Sequence, residues 1–106
     1  MRDGLPRTPR KGHAVLMPQL HLLVGGRVQG VGYRWFCRQR AEQHDVRGAV
    51  RNLTDGTVEV HAAGTRSALE AFRADVLAGP VHARVEPIME RWDEGEDSAS
   101  GFRILA

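Results

Sequence analysis

Apolar and polar positions repeat with a period that changes in order along the chain. His21–Val24 is a short apolar run, the pattern of a buried strand. Gly25 to Gly32 is rich in glycine and reads as a loop. From Tyr33 the period becomes helical: Tyr33, Phe36, Cys37 and Ala41 share one stripe, with Arg34, Arg38, Glu42 and Gln43 elsewhere. Val46, Gly48 and Val50 then alternate with Arg47 and Arg51, which predicts a half-buried strand ending at Asn52. Thr54-Asp55-Gly56 supplies a hairpin turn, and Val58, Val60 and Ala62 mark the returning strand. A second helix opens at Gly64-Thr65, with Leu69, Phe72 and Val76 on one face. Ser67 with Glu70 has capping-box spacing, and Thr65 is an equal candidate for the cap. Gly79-Pro80 ends this helix. Val81 to Trp92 reads as a strand whose Pro87 suits a sheet edge. Asp93 to Ser100 reads as an acidic loop, and Phe102 with Ile104 as a short last strand.

The order β-α-β-β-α-β predicts an α+β fold: a ferredoxin-like sandwich with two helices on one face of an antiparallel sheet. Such a fold hosts many unrelated functions and decides nothing about chemistry. A chain of 106 residues, 42% hydrophobic and 26% charged, fits one globular domain with one core. Residues 1–18 carry Gly4, Pro6, Pro9, Gly12 and Pro18 among scattered arginines and show no apolar period, so a disordered basic extension is expected there, followed by one domain over 19–106. The formal charge of +2 comes from that extension, with four basic residues against Asp3; residues 19–106 carry 11 arginines against 12 acids. A nearly neutral domain is a poor nonspecific binder of nucleic acid. No apolar run is long enough to span a bilayer. The lone Cys37 cannot form an internal disulfide and suits a reducing compartment.

The candidate chemistry lies in Gly26-Arg27-Val28-Gln29-Gly30-Val31-Gly32-Tyr33-Arg34, between a strand and a helix. Gly30 and Gly32 allow backbone conformations other residues avoid and leave N–H groups uncovered. Successive N–H groups before a helix form an anion nest, which the helix dipole strengthens. Arg34, in the first helical turn, matches two oxygens of a phosphate with its planar fork. A phosphate or carboxylate site is expected. It is no nucleotide P-loop, because Val31-Gly32 stands where Lys-Ser/Thr is required, and Trp35 replaces the third glycine of a dinucleotide fingerprint.

This stretch resembles the acylphosphatase signature Gly-Arg/Lys-Val-Gln-Gly-Val-x-Phe/Tyr-Arg. Gly48-Ala-Val-Arg-Asn52-Leu-Thr-Asp55-Gly56-Thr-Val-Glu59 is similar to the family's second block, and Gly79-Pro80 and Phe102-x-Ile104 match further on. The resemblance covers about residues 19–106 and implies metal-independent hydrolysis of an acyl phosphate to a carboxylate and inorganic phosphate. It implies that Arg34 and Asn52 are catalytic: Arg34 binds the phosphoryl group and Asn52 positions the attacking water. The backbone of Val28, Gln29, Gly30, Val31, Gly32 and Tyr33 would cradle the phosphate oxygens. No cofactor and no metal are expected, since His21, His44, His61 and His82 lack ligand spacing. Acylphosphatase-like domains also occur inside large carbamoyltransferases of hydrogenase maturation; here a freestanding monomeric cytoplasmic enzyme is expected, with a small-molecule substrate and no nucleic-acid or membrane partner. The alternative is a non-catalytic anion-binding or regulatory domain of the same fold. An RNA-binding sandwich is disfavoured by the absence of Phe, Tyr and Trp from the strand Thr57–Ala62. Cys37 is read as core, and Trp35 either covers the loop or packs locally.

Overall fold

The computed structural model describes residues 16–96 and 100–106. Its elements are β1 (Leu16–Arg27), α1 (Tyr33–Gln43), β2 (Arg47–Asn52), β3 (Val58–Ala63), α2 (Arg66–Ala78), β4 (Arg84–Glu96) and β5 (Phe102–Ile104). They form the expected α+β sandwich, with a sheet in the order β4-β1-β3-β2-β5. The sheet is mixed rather than wholly antiparallel, because β5 pairs parallel to β2 through Gly48↔Phe102, Ala49↔Arg103 and Val50↔Ile104.

Period-2 and period-3.6 patterns meet in one core. Leu20, Leu22, Val24, Val50, Val58, Val60 and Ala62 come from the inner face of the sheet; Tyr33, Cys37 and Ala41 from α1; Leu69, Phe72 and Val76 from α2. α1 covers β2 and β5, and α2 covers β4 and β1. Among the described residues no helix covers the other face of the sheet. His21 and Leu23, expected inside a buried run, are therefore only half-buried on that side. The thiol of Cys37 lies in the core, and burial pushes its pKa up to about 12.

Two expectations are corrected at one end of the sheet. Leu16–Pro18, expected in a disordered extension, belongs to β1; residues 1–15 lie outside the described residues. Asp93–Glu96, expected in a loop, belongs to β4; Asp97–Ala99 lie outside the described residues. The physical reason is mutual pairing. Leu16↔Glu96, Met17↔Gly95 and Gln19↔Asp93 extend one antiparallel ribbon, so each strand supplies the backbone partners the other lacks. β4 is an edge strand, as its proline predicts. Pro87 sits at the register shift opposite Leu23/Val24, where Ile88 bulges out of the ladder. At the start of α2, Thr65 is the cap, its hydroxyl accepting from the Ala68 N–H at 3.2 Å, while Glu70 pairs with Arg66 instead of closing a box with Ser67. No helix of the described residues is long and apolar enough to cross a membrane.

Candidate active site

β2, which ends at Asn52, does not lie beside β1, which leads into the glycine loop; β3 lies between them. Strand direction explains how the two still meet. β1 and β2 are both antiparallel to β3, so both end at the same edge of the sheet, and β5 ends there too. The loop after β1 must pass over the start of β3 to reach α1 above β2 and β5. It therefore crosses in front of Asn52.

Backbone geometry sets the loop. Gly26 has φ 90°, and a Cβ there would lie 2.3 Å from the Arg84 carbonyl oxygen, so only glycine lets the β4 backbone approach. Gly30 and Gly32 both have φ 77°, and a Cβ at either would meet nothing within 4 Å. These two glycines are required for conformation, not for packing. Gly32 is the N-cap of α1 in a left-handed conformation and offers no side-chain cap, so the first-turn N–H groups and the positive end of the dipole face the loop.

The loop is fixed from below and from the side. Tyr33 is fully buried and its hydroxyl donates to the Val76 carbonyl of α2 at 2.7 Å. Burial raises the Tyr33 pKa far above its ordinary value, so this hydroxyl stays a donor. The Gln29 amide donates to the carbonyls of both Leu53 and Thr57 at 2.9 Å. Those carbonyls close the β2–β3 turn, which is itself held by Leu53 N–H to Thr57 O (2.8 Å), by Gly56 at φ 92°, and by Thr57 donating to the Asp55 carboxylate from its hydroxyl (2.6 Å) and its N–H (3.0 Å). The same bonds hold the Asp55 pKa below its usual value. Gln29 thus ties the glycine loop to the turn that follows Asn52. Sequence reasoning assigned Gln29 only a backbone role; the signal for its side chain was a long polar residue in a loop otherwise of glycine and valine.

A cleft of about 210 Å³ is lined by Val28, Gly30, Gly32, Tyr33, Arg34, Trp35, Asn52 and Ile104. It brings together both expected catalytic side chains and four of the six expected loop residues. Gln29 faces the β2–β3 turn instead, and Val31 packs against the core. Arg34 is half-buried, and its Nη1 donates to the Leu105 carbonyl just beyond β5 at 3.1 Å, a contact no local pattern indicated. That bond holds the guanidinium at the cleft while leaving its other N–H groups available. Asn52 Oδ1 is buried and has no hydrogen-bond partner among the described residues. An unsatisfied buried acceptor destabilises a fold, so one retained in a residue that lines the cleft calls for an explanation other than packing. No lining residue is a carboxylate, imidazole or thiol, and among the described residues no group of three such side chains could hold a metal ion.

Comparisons with known proteins agree with this geometry. A family model described as acylphosphatase matches residues 20–104. The acylphosphatase of Thermus thermophilus is 47% identical over 88 residues, covering 83% of this chain and 99% of that protein. That of Azorhizobium caulinodans is 44% identical over 87 residues, covering 82% and 94%. The crystal structure of the Bacillus subtilis acylphosphatase superposes with a TM-score of 0.75 at 34% identity over 85% of this chain and 100% of that one. The structure of HypF from T. kodakarensis superposes with a TM-score of 0.74 at 32% identity, over 85% of this chain and 12% of that one. A glycine-rich loop followed by arginine, with an asparagine at the end of β2 in the same cleft, on this fold and at these identities, means that the chain belongs to the acylphosphatase family.

Proposed function

We propose that this enzyme hydrolyses acyl phosphates without a metal: the loop amides and Arg34 bind the phosphoryl group, and Asn52 holds the attacking water. The observation that carries the reading is that Asn52 lines one cleft with Arg34 and the glycine loop, while its buried Oδ1 finds no hydrogen-bond partner among the described residues. Family membership makes the chain a hydrolase of mixed acid anhydrides; the roles of these residues follow from chemistry.

An acyl phosphate loses a carboxylate, whose conjugate acid has a pKa near ~4, so the leaving group departs unprotonated and needs no general acid. Phosphoryl transfer passes through a loose transition state with charge spread over the equatorial oxygens. Stabilising that charge requires fixed donors, and the uncapped start of α1 with the Arg34 fork supplies them. The water is a weak nucleophile, yet a loose transition state demands little of it. An amide oxygen accepts one of its hydrogen bonds and holds it in line. The proton is released to solvent or to phosphate.

The test is phosphate release from benzoyl phosphate, with EDTA present and in ¹⁸O-labelled water. Turnover that survives chelation and places the label in inorganic phosphate is the expected result. No turnover by the folded protein, or label in benzoate, would overturn the reading and favour an anion-binding domain or attack at carbon.

A further inference from the structure

Trp35 is 59% exposed, although it follows Arg34 directly and lines the same cleft. Among the described residues its indole makes no hydrogen bond and no ring contact, while the chain's other tryptophan, Trp92, has both: Nε1 donates to Glu90 at 2.7 Å and Arg66 lies over its ring at 3.9 Å. Leu16, Val81, Ile88 and Met89 are exposed as well, but Trp35 is the one exposed large apolar residue among the described residues that lines this cleft. The remaining apolar residues of the cleft are Val28 and Tyr33, each 1% exposed, and half-buried Ile104. Val28 and Tyr33 form its floor and have no surface to offer. Trp35 and Ile104 do. The cleft's 210 Å³ is room for about seven water-sized groups, more than a phosphoryl group fills.

We infer that Trp35, backed by Ile104, is the acyl-recognition surface of this enzyme, selecting acyl phosphates whose acyl half is bulky and apolar, an aromatic ring above all. The inference rests on the proposed hydrolysis of acyl phosphates and adds what that reading leaves open. With the phosphoryl group held by Arg34 and the loop, the acyl half must leave the cradle on the cleft's apolar side. An indole face meets a planar apolar group by offset stacking, and a methyl group leaves most of it uncovered. Discrimination by one such surface amounts to roughly 10-fold, the scale of apolar pocket contacts.

The experiment compares kcat/KM for benzoyl and acetyl phosphate in the wild type, Trp35→Ala and Trp35→Phe, with folding checked by circular dichroism. The benzoyl-to-acetyl ratio is expected to fall about tenfold in Trp35→Ala, through a higher KM for benzoyl phosphate, and to be largely restored in Trp35→Phe. A ratio within about twofold of the wild type in Trp35→Ala would overturn the assignment of Trp35 while leaving the hydrolase reading intact. A wild type that turns over neither substrate would overturn both. A loss shared equally by both substrates would make Trp35 a support for the loop and overturn its role in recognition.

Discussion

Two side chains are asked to do most of the chemistry, and they stand differently in the energetics of the fold. Arg34 contributes to both. Its bond to the Leu105 carbonyl is worth about 1 kcal/mol of stability. In the proposed mechanism its charge at the phosphoryl group is worth far more to the reaction. Arg34→Ala is expected to lower kcat/KM for benzoyl phosphate by roughly 10³- to 10⁵-fold, the scale of a transition-state arginine. Arg34→Lys keeps the charge but loses the planar fork, so steady-state kinetics should show only partial recovery. Asn52 is the opposite case. Its buried Oδ1 has no partner among the described residues, so in the proposed mechanism it lowers stability in return for chemistry. Asn52→Ala should therefore leave the urea midpoint equal or higher, measured without substrate or phosphate. A fall of more than about 1 kcal/mol would show that the amide has a structural partner.

At the scale of elements, glycines do two jobs that look alike in the sequence. Gly48, at φ 144°, would place a Cβ 1.9 Å from the His61 carbonyl oxygen of the paired strand β3. Gly30 would place one in open space. Gly48→Ala is expected to cost more than about 3 kcal/mol or to prevent folding, through a backbone clash that no side chain relieves. Gly30→Ala should cost about 1–2 kcal/mol, the strain of a left-handed residue alone. Denaturant titration separates the two. The glycine loop and the helix after it were legible because their residues are contiguous: Gly30, Gly32 and Arg34 lie within one turn of chain. The partners Gln29 and Arg34 use, the carbonyls of Leu53, Thr57 and Leu105, were not legible, because a backbone carbonyl has no residue type to announce it. The extra length of β1 and β4 was hidden for a related reason. Leu16–Pro18 and Asp93–Glu96 have no strand pattern of their own and are ordered by each other.

Over the whole molecule, the sheet order converts local patterns into a site. Placing β3 between β1 and β2 obliges the loop to cross the sheet's edge, and that crossing joins residues 18 positions apart, Arg34 and Asn52, in one cleft. The alternation of apolar residues foretold which face Asn52 shares with Val50, but not which strand lay beside it, since order within a sheet depends on pairing across the chain. The same core sets the alkaline limit of stability. Cys37 ionises near 9.0 when unfolded and at about 12 when folded, so the native state keeps a proton that the unfolded state releases. Buried Tyr33, raised from 10.0, acts in the same direction. This stability is fully present below about pH 9 and is lost as pH rises toward 12. Urea midpoints should fall across that window, and less steeply in Cys37→Ala.

In the proposed mechanism Asn52 acts on the attacking water in the transition state and not on the bound phosphoryl group. Steady-state kinetics of Asn52→Ala with benzoyl phosphate test it most directly. A fall in kcat of at least about 100-fold with KM within about threefold of the wild type is the predicted result. A kcat left unchanged, or a loss carried wholly by KM, would make Asn52 a binding residue or a bystander and contradict the mechanism.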